Sequence, residues 1–120
     1  MPCMSKRMLE SVLESTAANT APVLSHCVFT NETLAGIDFL GADLHYAEFI
    51  NCDLRGVSFD GCQLDFALFK SCDLSFASLS NASIDFASFC SVKMIDTVAS
   101  GVRWEHAFRH SVVPCPIDAL

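Results

Sequence analysis

No uninterrupted apolar stretch in this chain approaches the ~20 residues that a membrane-crossing helix needs. Yet 52% of the 120 residues are apolar and the mean hydropathy is +0.40. So much apolar material in short pieces has to face inward, within one small domain. The N-terminal residues carry Lys6 and Arg7 with no apolar stretch behind them, so they do not read as a cleaved secretory signal. The expectation is a cytoplasmic protein, with export that needs no cleaved signal left open. Paired cysteines are missing as well. Cys3, Cys27, Cys52, Cys62, Cys72, Cys90 and Cys115 include no Cys-x-x-Cys and no two that lie two to four apart. The odd count argues against a disulfide framework, and the spacing argues against a Cys/His zinc site. Basic residues are few: seven Lys and Arg against 14 Asp and Glu, a formal charge of −7. Charges cancel in residues 1–30 and 97–120. The excess lies between Glu32 and Asp96, where only Arg55, Lys70 and Lys93 are basic. An acidic body repels nucleic acid and favours basic partners.

The body has neither the 3.6-residue period of a helix nor the two-residue alternation of a simple strand. It repeats every five residues instead. Phe29, Leu34, Phe39, Leu44, Phe49, Leu54, Phe59, Leu64, Phe69, Leu74, Leu79, Ile84, Phe89 and Met94 are all large and apolar. The positions two residues earlier, from Cys27 to Val92, are apolar and mostly small, with Glu32 the one exception. One large and one small inward residue per five implies a chain that turns at every unit. A second period of 20 is superimposed. Phe29, Phe49, Phe69 and Phe89 are related by it, as are Leu34, Leu54 and Leu74, and Tyr46, Phe66 and Phe86. Residues recurring at this interval behave as stacked neighbours, so four five-residue sides make one coil and like side chains ladder between coils.

The units Ala42-Asp43-Leu44-His45-Tyr46, Cys52-Asp53-Leu54-Arg55-Gly56, Cys62-Gln63-Leu64-Asp65-Phe66 and Cys72-Asp73-Leu74-Ser75-Phe76 resemble the pentapeptide-repeat motif, A(D/N)LXX. The resemblance covers about residues 26–95, which make fourteen consecutive units. It implies an all-β fold, a right-handed quadrilateral β-helix of about three and a half coils, with the central Leu or Phe and the small residue before it both inside. Glu32 departs from the pattern, and an unpaired buried carboxylate is costly. The first coil is therefore expected to be irregular, with Glu32 escaping to solvent.

A solenoid exposes core and unpaired backbone at its ends and needs caps. Residues 1–25 read as an N-terminal cap. Its helix spans about 5–19, with Ser5 as N-cap and Met8, Leu9, Val12, Leu13 and Thr16 on one face. Pro22 stops further continuation. Residues 96–120 read as a C-terminal cap and tail, and two registers compete in 96–113. Thr97, Val102, Trp104 and Ala107 still fit the five-residue repeat, whereas Trp104, Phe108 and Val112 are spaced four apart, as on a helix. Cys115-Pro116 begins a loose tail. The resemblance implies that such an end can join two rods, so Trp104, Phe108 and Val112 are also candidates for a homodimer contact.

A rod filled by Phe and Leu offers no obvious cleft in which a nucleophile, a base and an orienting group converge, so no enzyme, catalytic residue or cofactor is expected. His106 and His110 have metal-compatible spacing only if helical, and lack a third ligand. Cys52 and Cys72 should stack inside the core. Their strand spacing allows a disulfide, and their inward register favours small reduced thiols. Cys90 faces outward and is the better reactive thiol. Asp38, Asp43, Glu48, Asp53 and Asp73 stand where the motif itself places Asp or Asn. Asp60, Asp65 and Asp85 do not. Asp65 and Asp85, beside the outward Tyr46, Phe66 and Phe86, make that face the candidate binding surface, together with Asp60. The competing reading is a purely structural ladder.

Three functions follow as expectations. The broadest is a non-enzymatic protein-interaction module. The second resembles the quinolone-resistance and gyrase-inhibitor branch of the family: an acidic DNA mimic acting on the basic DNA-binding surface of a type II topoisomerase. The third is a bacterial effector delivered into host cells, or a fragment of one. None involves direct nucleic-acid or membrane binding.

Overall fold

The structure, a computed structural model, describes residues 3–17 and 19–113. The chain begins with one helix, α1 (Lys6–Ser15), and then winds into a four-sided parallel β-solenoid. Five short strands stack on one side: β1 (Val28–Thr30), β2 (Glu48–Ile50), β3 (Leu68–Lys70), β4 (Ser88–Cys90) and β5 (Phe108–His110). They pair in order, each residue against the one 20 positions on. The other three sides are held by single bridges at the same offset, such as Asp53↔Asp73, Ser58↔Ser78 and Gln63↔Ser83.

The five-residue period has a direct backbone cause. After the central Leu or Phe the chain makes a β-turn, closed by a bond from the small residue's N–H to the central residue's carbonyl, as in Ala47 N to Leu44 O at 3.0 Å and Ala67 N to Leu64 O at 3.0 Å. The residue before the small one takes a positive φ, where glycine or asparagine is least strained. Most such corners use Gly, Asn or Ser. The next N–H is also provided for. Asp38, Asp43, Asp53 and Asp73 accept it within their own turn, from Leu40, His45, Arg55 and Ser75 at 2.8 to 3.3 Å. The Asp preference of the repeat is therefore a turn cap.

The core is a pair of aromatic ladders. Phe29, Phe49, Phe69 and Phe89 stack at 4.8 to 5.0 Å. Phe39 and Phe59 stack at 4.8 Å and meet the first ladder edge to face. Columns of Leu34, Leu54 and Leu74 and of small residues fill the rest, all buried. Cys52 and Cys72 stand in the small column, and their thiols donate to the carbonyls of Phe29 and Phe49 at 3.3 and 3.1 Å. They are free thiols. The neighbouring Cys52 thiol and burial push Cys72 upward, and burial pushes Cys62 up to about 12.

At the C-terminal end the structure selects between the two registers left open. Residues 96–113 take the coiled register and not the helical one. Val98 N bonds Ala77 O, Phe108 N bonds Ala87 O, and β5 pairs with β4. A helix there would have left the fourth coil's row of donors and acceptors unpaired, which outweighs the helical spacing of Trp104, Phe108 and Val112. Trp104 is buried against Phe89, Val112 packs against the core, and Phe108 is exposed. Four full turns thus separate Phe29 from Arg109, half a turn beyond the expected length. Cys115, Pro116 and the expected tail lie outside the described residues.

At the other end α1 covers the first coil, with Leu9 fully buried and Met4, Val12 and Leu13 packed on the core. Ser5 is the N-cap, its hydroxyl accepting from Met8 N at 3.2 Å. Glu32 does not escape freely to solvent. Its carboxylate accepts from Lys6 N at 2.9 Å, in the first turn of α1. A carboxylate there satisfies an orphan donor and complements the helix dipole. The one acidic residue in the inward column is thus the bolt between cap and coil. Glu32→Gln keeps the shape and removes the charge; a loss of about 0.3–1 kcal/mol is expected, shrinking with added salt, read from urea midpoints.

Candidate aromatic interface

One corner of the coil differs from the other three. Its positive-φ position, which follows the Leu44 side and precedes the strand side, carries rings: His26, Tyr46 and Phe66 in succession, then Phe86. With His106 they form one stacked column along the outside. The centroid steps are 5.0 Å from His26 to Tyr46, 4.8 Å to Phe66, 5.3 Å to Phe86 and 5.7 Å to His106. The sequence reading found the three central rings. It missed the two histidines, although the same 20-residue step reaches both. The helix that would have put His106 and His110 on one face is not formed: His106 ends the ring column and His110 lies on β5.

Left-handed backbone at a bulky residue costs roughly 1–2 kcal/mol, and each offset or stacked ring pair returns about 0.5–1.5 kcal/mol. Phe66→Gly removes two ring contacts and relieves one strained φ, so it is expected to shift stability by no more than about 1–2 kcal/mol. A chemical-denaturation curve checks this. Tyr46, Phe66 and Phe86 remain 44%, 47% and 47% exposed. Because their faces cover one another, they offer ring edges to a partner.

The acids predicted for this surface divide. Asp65 and Asp85 lie beside the column, each one residue before a ring. Asp60 belongs to the preceding side and is not brought to the rings. Asp60 and Asp65 share a role that spacing did not reveal, bonding the following coil. Asp60 accepts from Ser80 N at 3.0 Å and from the Ser78 hydroxyl. Asp65 accepts from Asp85 N at 2.9 Å and from the Ser83 hydroxyl. Like charges stacked one coil apart repel, and the bond from Asp85 N to Asp65 offsets that. Asp85, partly exposed, precedes Phe86 in the chain, and Glu48 flanks the column from β2.

A concavity of about 710 Å³ runs along the corner after the strands and is lined by Asn31, Asn51, Cys52, Asp53, Arg55 and Cys72 among others. Its groups serve one another. Asn51 donates to Asn31 at 2.6 Å, and Arg55 grips Asp53 through Nε and a terminal nitrogen at 2.9 and 2.7 Å. The Arg55 hydrogen bond holds Asp53 below the ordinary carboxylate range. A carboxyl depressed by folding contributes stability above its unfolded value near ~4 and loses it as pH falls through the folded value. Arg55→Gln is therefore expected to lose part of the gap in urea midpoint between pH 7 and roughly pH 2.5, by a modest amount because the pair is exposed. Cys90, on β4, is half-buried between Lys70 and His110.

Comparison with known proteins gives consistent findings. A family model described as "Pentapeptide repeat region" matches residues 42–111. Among solved structures, QnrB1, described as a plasmid-mediated fluoroquinolone resistance protein, is similar at 27% identity and a TM-score of 0.68. The match covers 74% of this chain and 49% of QnrB1, so the chain spans about half that protein's length. Rfr23, a pentapeptide repeat protein from the cyanobacterium Cyanothece 51142, is similar in fold at 18% identity and a TM-score of 0.61, over 82% of this chain and 62% of its own. No curated protein sequence matches significantly. Among the described residues, no helix is long and apolar enough to cross a membrane.

Proposed function

The chain belongs to the pentapeptide-repeat family, and from that premise we propose that it is a non-enzymatic protein-interaction module whose contact surface is the His26–Tyr46–Phe66–Phe86–His106 ridge. The observation that carries this is the choice of residues at one corner. Elsewhere the positive-φ position is mostly Gly, Asn or Ser; at His26, Tyr46, Phe66 and Phe86 it holds exposed rings in a conformation that bulky residues disfavour. Each ring is half buried against its neighbours and leaves the other half open to a partner, where Gly or Asn would serve the turn. Affinity capture from the source cell with the wild-type chain, Phe66→Gly/Phe86→Gly and Phe76→Gly tests this. Phe76 is a still more exposed aromatic at another corner. A protein species retained by the wild type and by Phe76→Gly, and lost with the ridge variant, is expected. Retention by all three would refute the assignment.

A second reading is favoured by the match to a fluoroquinolone resistance protein. Here the acidic rod would mimic DNA on a type II topoisomerase, with two rods joined end to end through the last coil. Against it, Asp38, Asp43, Asp53 and Asp73 are spent on turns, and Asp60 and Asp65 on bonds to the following coil, across three sides of the rod. Supercoiling by gyrase, assayed at micromolar excess of this protein, would be inhibited under this reading and unchanged under the first. The effector reading has less support, because a delivery segment in residues 1–25 would have to be the same segment that caps the coil.

A further inference from the structure

The spacing of the ridge points to the kind of partner it fits. This rests on the ridge being a binding surface and goes on to name what lies there. Four steps of 4.8 to 5.7 Å separate the five rings. An α-helix advances ~5.4 Å per turn and presents a side chain to one face at each turn. An extended chain repeats on one face every ~6.7 Å and falls out of step by the second ring. A helix laid along the column therefore stays in register over its full length, about four turns or roughly 14 residues at 1.5 Å per residue.

Charge selects among helices. Segments 43–48, 63–68 and 83–88, which hold the three central rings, contain no Lys or Arg. Of their four acids, Asp43 and Asp65 accept structural hydrogen bonds, and Glu48 stands on one border of the column and Asp85 on the other. The rings are stacked face to face, so a partner meets their edges, which suit aliphatic side chains more than a cation seated on a ring face. Apolar contact belongs in the middle and positive charge at the borders. We propose that the ridge docks an amphipathic α-helix of a partner protein, with an aliphatic stripe against the ring edges and Lys or Arg on both flanks of that stripe.

The probe is a fluorescein-labelled 16-residue peptide with Leu at helical spacing and flanking Lys, compared with a peptide of the same composition scrambled to abolish the stripe. Fluorescence anisotropy against the full chain is the readout. The helical peptide is expected to bind wild type and Phe76→Gly alike, at least tenfold more weakly to Phe66→Gly/Phe86→Gly, and severalfold more weakly to Asp85→Asn with a shallower salt dependence. The scrambled peptide is expected to bind at least tenfold more weakly than the helical one. Unfolding midpoints of the variants, measured in parallel, show that each is folded. Equal binding of the two peptides, equal binding to the ridge variant, or no binding up to about 1 mM, an affinity of only ~4 kcal/mol, overturns the helical partner. If capture from the source cell still depends on Phe66 and Phe86, the ridge remains the interface and only the helix is wrong. If capture is also indifferent to them, the ridge itself falls.

Discussion

Phe49→Ala is expected to remove about 3–5 kcal/mol of stability, the largest effect of any single truncation in this chain. Phe49 is fully buried. Its ring is stacked on Phe29 at 4.8 Å and on Phe69 at 5.0 Å, and touches Phe39 and Phe59 edge to face. Truncation removes the transfer term and leaves a cavity between two coils held apart by their own backbone bonds, so the walls cannot collapse to fill it. A domain of this size is held by about 5–15 kcal/mol in all, so the variant is expected to unfold at a much lower urea concentration or not to fold at 37 °C. Phe29, which has a ring on one side only, should be less sensitive. An Ala at Phe49 that shifts the curve no more than Phe66→Gly would mean that the inner and outer ladders are not distinct in kind.

Leu9→Ala is the second large effect, about 2–4 kcal/mol. Leu9 is the one fully buried residue of α1, and it closes the first coil together with the Glu32 contact to Lys6. In a solenoid each coil depends on its neighbours, so loss of an end cap frays inward. Hydrogen exchange is expected to speed up first at Met4, whose N–H bonds Val28 O, and then at the amides of the first coil, such as Leu24 and His26, well before β4 and β5 respond. Met8→Ala, on the exposed side of the same helix, is the control and should change little. Equal loss from both substitutions would show that the helix is held by its own propensity and not by the cap contact.

The solenoid was legible in the sequence because its cause is local. A turn every five residues needs one large and one small inward side chain, and both columns can be read by counting. Ser5 and the cap helix were legible for the same reason. Other features were not, because they depend on contacts 20 or more residues away. Glu32 read as an irregularity until its carboxylate was placed at the start of α1. Asp60 and Asp65, assigned by position to the candidate binding face, have structural bonds to Ser80 and Asp85 one coil later that spacing does not reveal. The helical spacing of Trp104, Phe108 and Val112 was real, but three side chains cannot outweigh a row of backbone groups waiting for partners. The ring column was partly legible. Its histidine ends broke the residue type without breaking the 20-residue step.

Because so many carboxylates are turn caps, net charge alone is a poor guide to function here. The proposed ridge is a better one, since it keeps large rings half exposed at turns that Gly or Asn would serve. Site-specific photo-crosslinking tests it most directly. A photoreactive phenylalanine analogue is placed at Phe86 and, separately, at Phe76, and the adducts formed in the source cell are compared by mass. One protein adduct from position 86, absent from position 76 and abolished by Phe66→Gly, is the predicted result. Adducts of the same pattern from both positions, or none from position 86 in a folded chain, would contradict the assignment of function to the aromatic ridge.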